Sequence, residues 1–156
     1  MSDGKIKIQT TRFGDLEVPE ASIITIPAGL IGFPGIFRFT LLEYNPPFSW
    51  LQSVDRSDMA FVVVNAAEFG DEYGFPLPFG DSDLGLTDVD DVAIINLVSV
   101  RPDPMQTTVT LKAPVIVNLR NMRGRQVVLD NPRFPIRMPL WVKEEGKDAK
   151  EGGEEK

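Results

Sequence analysis

The sequence predicts an all-β fold, a single-domain small β-barrel or barrel-like sandwich of about nine or ten short strands with one short helix. Three observations lead there. The apolar residues fall in short alternating or continuous runs and not at helical spacing. Gly, Pro, Asn and Asp separate those runs at regular intervals, with 13 Gly and 13 Pro in the chain. The stretch from Thr107 to Leu129, with β-branched runs on either side, turns back on itself at Asn121-Met122-Arg123-Gly124. Two such runs about a turn containing Gly are a hairpin signal.

The elements follow in order. Lys5 to Thr10 alternates with period two, a strand with one wet face. Phe13-Gly14-Asp15 turns, and Leu16 to Pro19 is a second strand whose Pro belongs at an edge or an end. Ile23 to Ile26 is a third strand, stopped by Pro27-Ala28-Gly29. Gly29-Leu30-Ile31-Gly32-Phe33-Pro34-Gly35 holds too much Gly and Pro for regular structure, so its apolar side chains either pack inward or present a hydrophobic surface. Phe37 to Leu41 alternates again, Asn45-Pro46-Pro47 turns, and Phe48 to Val54 is a strand with two aromatics. Ala60 to Asn65 is almost continuously apolar, as expected of a strand buried on both faces.

Glu68 to Pro78 is mixed: the aromatics Phe69, Tyr73, Phe75 and the following Phe79 stand among Asp71, Glu72, glycines and prolines, a loop anchored by rings and carrying charge. Asp81-Ser82-Asp83 reads as the start of the short helix, with Ser or Asp as its N-cap. Gly85 and the run Asp88 to Asp91 limit its length. Val92 to Val100 is a central strand, ended by Arg101-Pro102-Asp103-Pro104. In the stretch that follows, Val109 and Leu111 alternate with polar residues, Ala113-Pro114 breaks the run, Val115 to Leu119 resumes it, and Arg125 to Leu129 returns. Phe134 to Val142 is a last partial strand. Beyond it, residues 143–156 lack any large apolar side chain and read as a disordered charged tail, which leaves 1–142 as the domain.

Composition narrows the chemistry. With no Cys there is neither a disulfide framework nor thiolate catalysis. With no His, the commonest general base and zinc ligand is missing. No phosphate-binding loop is present, because residues 29–35 lack the Lys-Ser/Thr pair and precede no helix. The carboxylates from Asp81 to Asp91 lack the ligand spacing of a calcium loop. The expectation is a chain with no catalytic residue, no cofactor and no metal. The longest apolar run, Val92 to Val100, is interrupted by Asn96 and Ser99 and falls short of the ~20 residues of a membrane-spanning helix. No apolar run follows Met1, so the expected location is the cytoplasm, away from the membrane.

The formal net charge is −7, which opposes direct binding to nucleic acid, whose affinity rests on phosphate neutralisation. The charge is also segregated. Asp55 to Asp91 holds ten acidic residues against Arg56, a net of −9, whereas Arg101 to Val142 holds seven basic residues against Asp103 and Asp130, a net of +5. Either the acidic segment steers a basic partner or the two segments neutralise one another. Two alternatives to a binding module stay open here: a small β-barrel enzyme working through carboxylates, and an RNA binder using Arg120, Arg123 and Arg125.

A combination of motifs goes further. Phe13-Gly14 with Val18-Pro19, then Ile26 to Phe33, then Leu51-Gln52-Ser53-Val54-Asp55, resembles the N-terminal half of the FliW family of flagellar assembly factors. Asp91 to Val98 resembles that family's central strand. Thr110 to Asn118 followed by Gly124 to Leu129 resembles its most distinctive segment. The chain departs from the family at Leu111, where Asn is usual, and in the Gly- and Pro-rich run from Ala66 to Gly80. The resemblance implies a protein-binding regulator, not an enzyme. Such a protein binds flagellin and also binds the translational repressor CsrA, preventing it from silencing flagellin messenger RNA. An acidic protein suits the basic RNA-binding surface of CsrA.

Candidate protein-binding residues follow from where polarity and apolarity are out of place. Leu30, Ile31 and Phe33 lie in the glycine-rich loop. Gln52, Asn65, Asn118 and Gln126 are amides on apolar strands, which need partners in a core or offer hydrogen bonds on a rim. Asp71, Glu72, Asp81 and Asp83 are candidates for electrostatic contact.

Overall fold

The computed structural model describes residues 4–139 apart from Asp71 and Arg101. The expected tail at 143–156 and the end of the last partial strand lie outside the described residues. Eleven strands form among the described residues: β1 Lys5–Thr10, β2 Gly14–Pro19, β3 Ile24–Thr25, β4 Arg38–Glu43, β5 Phe48–Ser53, β6 Ala60–Asn65, β7 Val92–Ser99, β8 Thr108–Val109, β9 Val115–Asn118, β10 Arg123–Gln126 and β11 Met138–Pro139.

β7 is the strand that closes the barrel. Its eight residues contain no Gly or Pro, so the whole length offers backbone donors and acceptors. One edge pairs with β6, from Ile95↔Asn65 to Val98↔Val62. The other edge is divided. Val92 to Ile95 pair with β9, while Val98 and Ser99 pair with β8. Strands β3, β4, β5, β6, β7, β9 and β10 thereby form a closed ring, with β8 and β11 as an extension from β7. The contact between β3 and β10 is parallel and a single rung, Arg123↔Thr25. The fold is the small β-barrel that the strand pattern predicts.

Period-two alternation sorts the side chains. Phe39, Leu51, Val63, Ile95, Val115 and Val117 point into the ring with Ile24 and Ile26. Val64, Val109 and Leu111 point the other way and are buried as well, under Phe69, Tyr73, Phe75 and Phe134. Ile116 is covered from outside by Leu84 and Leu86. β6 and β9 are therefore buried on both faces because residues 66–91 lie over the barrel wall as a second layer. That layer is tied by a buried polar chain: Asn96 Nδ2 donates to Tyr73 Oη at 2.8 Å and to the Thr110 carbonyl at 2.9 Å, and Tyr73 Oη donates to the Leu111 carbonyl at 2.6 Å. The β1–β2 hairpin forms a separate sheet. It is attached where Thr11 N donates to the Ser57 carbonyl at 2.8 Å and where Phe13 meets Trp50 edge-on.

The expected helix at Asp81 is a single turn. The capping geometry forms, with Asp81 Oδ1 accepting from the amides of Asp83 and Leu84 at 2.9 and 3.2 Å. Gly85, at φ +61°, then ends the turn before a second one can start. The helical segments described are short 3-10 turns, at Glu20–Ser22, Ala66–Phe69, Val89–Asp91 and Pro104–Gln106. The return arm of the predicted hairpin is a ladder only to Gln126. Past it, Val127 N reaches the Pro114 carbonyl at 3.0 Å and Leu129 N reaches the Lys112 carbonyl at 2.7 Å.

Burial pushes the Tyr73 hydroxyl up to about 12, partly countered by its hydrogen bond from Asn96. An unfolded tyrosine titrates near ~10. The folded chain holds this proton more tightly, so the stabilisation is complete below pH ~10 and is lost as the pH rises toward the folded value. We expect Tyr73→Phe to cost about 1–3 kcal/mol at neutral pH. In urea unfolding, the stability gap between wild type and variant should stay constant to pH ~10 and narrow above it.

Candidate protein-binding surface

The glycine-rich loop seals one end of the barrel. Pro27 ends β3, and Gly29 turns the chain at φ +73°, with its amide donating to the Ile26 carbonyl at 2.8 Å. A Cβ at Gly29 would lie 2.9 Å from the Cα and carbonyl oxygen of Pro34, so no other residue fits this turn. Phe33 N donates to the Leu30 carbonyl at 2.8 Å, which tightens the loop. Leu30, only 2% exposed, plugs the barrel core. Ile31, the next residue, is 57% exposed at the tip. Phe33 is 37% exposed and packs edge-on against Phe61 with ring centres 5.1 Å apart.

Gln126 fixes the tip in place. Its Oε1 accepts from the Ile31 amide at 2.7 Å, and its Nε2 donates to the Ala113 carbonyl at 2.9 Å. Between the loop and the chain from Arg125 to Val128 runs an open groove of about 530 Å³. Ile31 stands on one bank and Val128, 61% exposed, on the other.

A charged rim adjoins the groove. Arg125 lines it and pairs with two carboxylates, Nε to Asp81 Oδ2 at 2.9 Å and Nη1 to Asp83 Oδ2 at 3.6 Å. Arg123 Nε donates to the Asp83 carbonyl at 2.6 Å, and Arg120 pairs with Asp91 at 3.1 Å. The acidic and basic segments lie against each other, and each of the three arginines holds a group of the acidic one. The local charge of the arginine cluster is largely balanced, which weakens the case for an RNA surface. The carboxylates form no group of three that could hold a metal among the described residues. Asp55, hydrogen-bonded to Arg38, has its carboxyl held below the usual range, the wrong direction for a general acid.

Four residues singled out from the sequence therefore meet around the groove, Ile31 and Gln126 in its lining and Asp81 and Asp83 through Arg125, while Phe33 packs against Phe61. Others serve the interior. Leu30 is core and meets the groove only from beneath. Gln52 is fully buried, its Nε2 donating to the carbonyls of Ser53, Ser57 and Met59 to hold the turn between β5 and β6. Asn118 is buried too, donating to the carbonyls of Leu84 and Gly85 at 3.0 and 3.2 Å while its Oδ1 accepts from Arg120 N. These amides lie on apolar strands because loops must be tied to the barrel, and burial removes Leu30, Gln52 and Asn118 from any surface. Asn65 caps the turn that follows β6, its Oδ1 accepting from Ala67 N at 2.8 Å. Glu72 is exposed in the loop before Tyr73, and Asp71 lies outside the described residues. Sequence reasoning does not single out Val128, and it offers Arg125 only as a candidate RNA contact. The charge segregation contained the signal for Arg125, while a valine at the end of a hairpin arm carries none.

The sequence pattern of the FliW protein family matches residues 7–140. The chain belongs to the FliW family. Among FliW relatives, the flagellar assembly factor of Caldicellulosiruptor saccharolyticus is 40% identical over 139 residues, spanning 88% of this chain and 91% of its own. That of Geobacter sulfurreducens is 38% identical and spans 87% of each. A crystal structure of the flagellar assembly factor FliW superposes with a TM-score of 0.80 at 30% identity, covering 89% of this chain and 99% of its own. The FliW barrel and its glycine-rich loop set the test of the surface. Gly29→Ala should destabilise by about 2–5 kcal/mol through left-handed strain and overpacking. Gly35→Ala, where a Cβ meets nothing within 4 Å, should be close to neutral by the same urea measurement.

Proposed function

We propose that this protein is a flagellar assembly factor acting in the cytoplasm by occupying other proteins, binding flagellin and antagonising the translational repressor CsrA. The observation that carries the reading is the rigid, exposed apolar tip at Ile31, held by Gln126 beside an open groove. A large side chain fixed in an exposed position loses little entropy on binding, which is how a few residues dominate an interface. The net charge of −7 supports a basic partner, since complementary fields speed encounter and disfavour wrong partners. Family membership supports the flagellar setting. In this reading flagellin and CsrA compete for the protein's effect: free flagellin occupies it, CsrA is released, and flagellin translation falls.

The test is a calorimetric titration of the purified protein against flagellin and against CsrA. Binding to both is expected, with the CsrA affinity falling as salt is raised from low to physiological concentration, because exposed charges are screened over about 8–10 Å. Absence of binding to both partners at low salt would overturn the proposal.

A further inference from the structure

Arg125 is shared between two carboxylates, and the turn that carries them has other anchors. Asp81 and Asp83 share its one guanidinium, through a single nitrogen each, and the Asp83 contact at 3.6 Å is long for an ion pair. The turn that carries both carboxylates is secured independently. Asp81 Oδ1 is already bonded to two backbone amides. Asn118 and Asn121 hold the Leu84 carbonyl at 3.0 and 3.2 Å, and the Leu84 side chain is fully buried. Of the two contacts, the one to Asp83 is solvent-exposed and contributes little to stability, while the one to Asp81 is half-buried. The same arginine lines the groove between Ile31 and Val128.

We infer that Arg125 is a stand-in for a partner's cation: the groove receives a polypeptide segment in which a Lys or Arg adjoins a large apolar side chain. The apolar side chain packs between Ile31 and Val128. The basic one displaces Arg125 from Asp81 and Asp83, so the chain's own arginine competes with its partner. The occupant is fixed by complementarity, two carboxylates with one guanidinium on the rim and branched aliphatics on the banks. This inference rests on the protein-binding reading above and assigns the chemistry of the segment that binds.

The experiment titrates flagellin and CsrA separately against wild type, Arg125→Gln, Asp81→Asn/Asp83→Asn, Ile31→Ser and, as a control of equal charge change, Arg56→Gln. Arg56 pairs with Asp58 in the exposed turn after β5. For at least one partner, Arg125→Gln should tighten binding about threefold to tenfold at low salt, although it removes a polar contact. Arg56→Gln should change it less than twofold. Asp81→Asn/Asp83→Asn should weaken binding by a similar factor and flatten its salt dependence, and Ile31→Ser should weaken it more than tenfold. Asn at 81 retains the Oδ1 acceptor that caps the turn; if that double variant nevertheless unfolds, judged by its thermal melt, the comparison of Arg125→Gln with Arg56→Gln decides. Unchanged or weaker binding by Arg125→Gln, or unchanged binding by Ile31→Ser, overturns the inference while leaving protein binding intact. Failure of wild type to bind either partner removes both.

Discussion

Everything in this molecule depends on one strand serving three neighbours. β7 pairs with β6 on one side, over Ile95 to Val98, and divides the other side between β9 and β8. A strand can do this only if no proline or glycine interrupts its donors and acceptors, and Val92 to Ser99 has neither. Closure leaves the ring without an open edge along most of its circumference, the usual remedy for the aggregation hazard of exposed strands. The exception is the one-rung contact of β3 with β10. There the chain leaves β3 at Pro27 and becomes the glycine-rich loop, so the gap in the ladder and the groove on the surface have the same origin.

The second layer follows from that closure. A barrel wall of Val64, Val109, Leu111 and Ile116 would expose apolar side chains to water if nothing covered it. Phe69, Tyr73, Phe75, Leu84 and Leu86 cover it, and Asp81, Asp83 and Asp91 meet the arginines of the β9–β10 hairpin. The opposite charges of the two chain segments thus help place the cover on the wall, while the hydrophobic effect and the Tyr73–Asn96 hydrogen bonds hold it there.

How much of this could be read beforehand varied with the kind of signal. The alternating runs were readable because period two is set by the pleat itself, and the long apolar run of β7 stood out for the same reason. The turn at Asp81 was half legible: the capping residue was recognisable, but the left-handed Gly85 that stops the helix at one turn is decided by tertiary fit. The site was legible in composition and not in geometry. Exposed Ile31 and buried Leu30 are adjacent and chemically alike, and only the loop's path separates them. Gln52, Asn118 and Gln126 look the same on paper, yet two of them bind loops from inside while the third reaches the groove. Sequence order carries no information on which carbonyl a glutamine will find.

The adjacency of Leu30 and Ile31 has one more consequence. The tip and the plug are successive residues of a loop tied by the Phe33–Leu30 and Ile31–Gln126 hydrogen bonds, so the plug acts as a lever on the tip. A change of volume beneath position 30 moves the side chain at 31 without altering any exposed atom's identity. Variation deep in the barrel can therefore shift the exposed tip, and a surface built this way inherits the tolerances of the interior on which it stands.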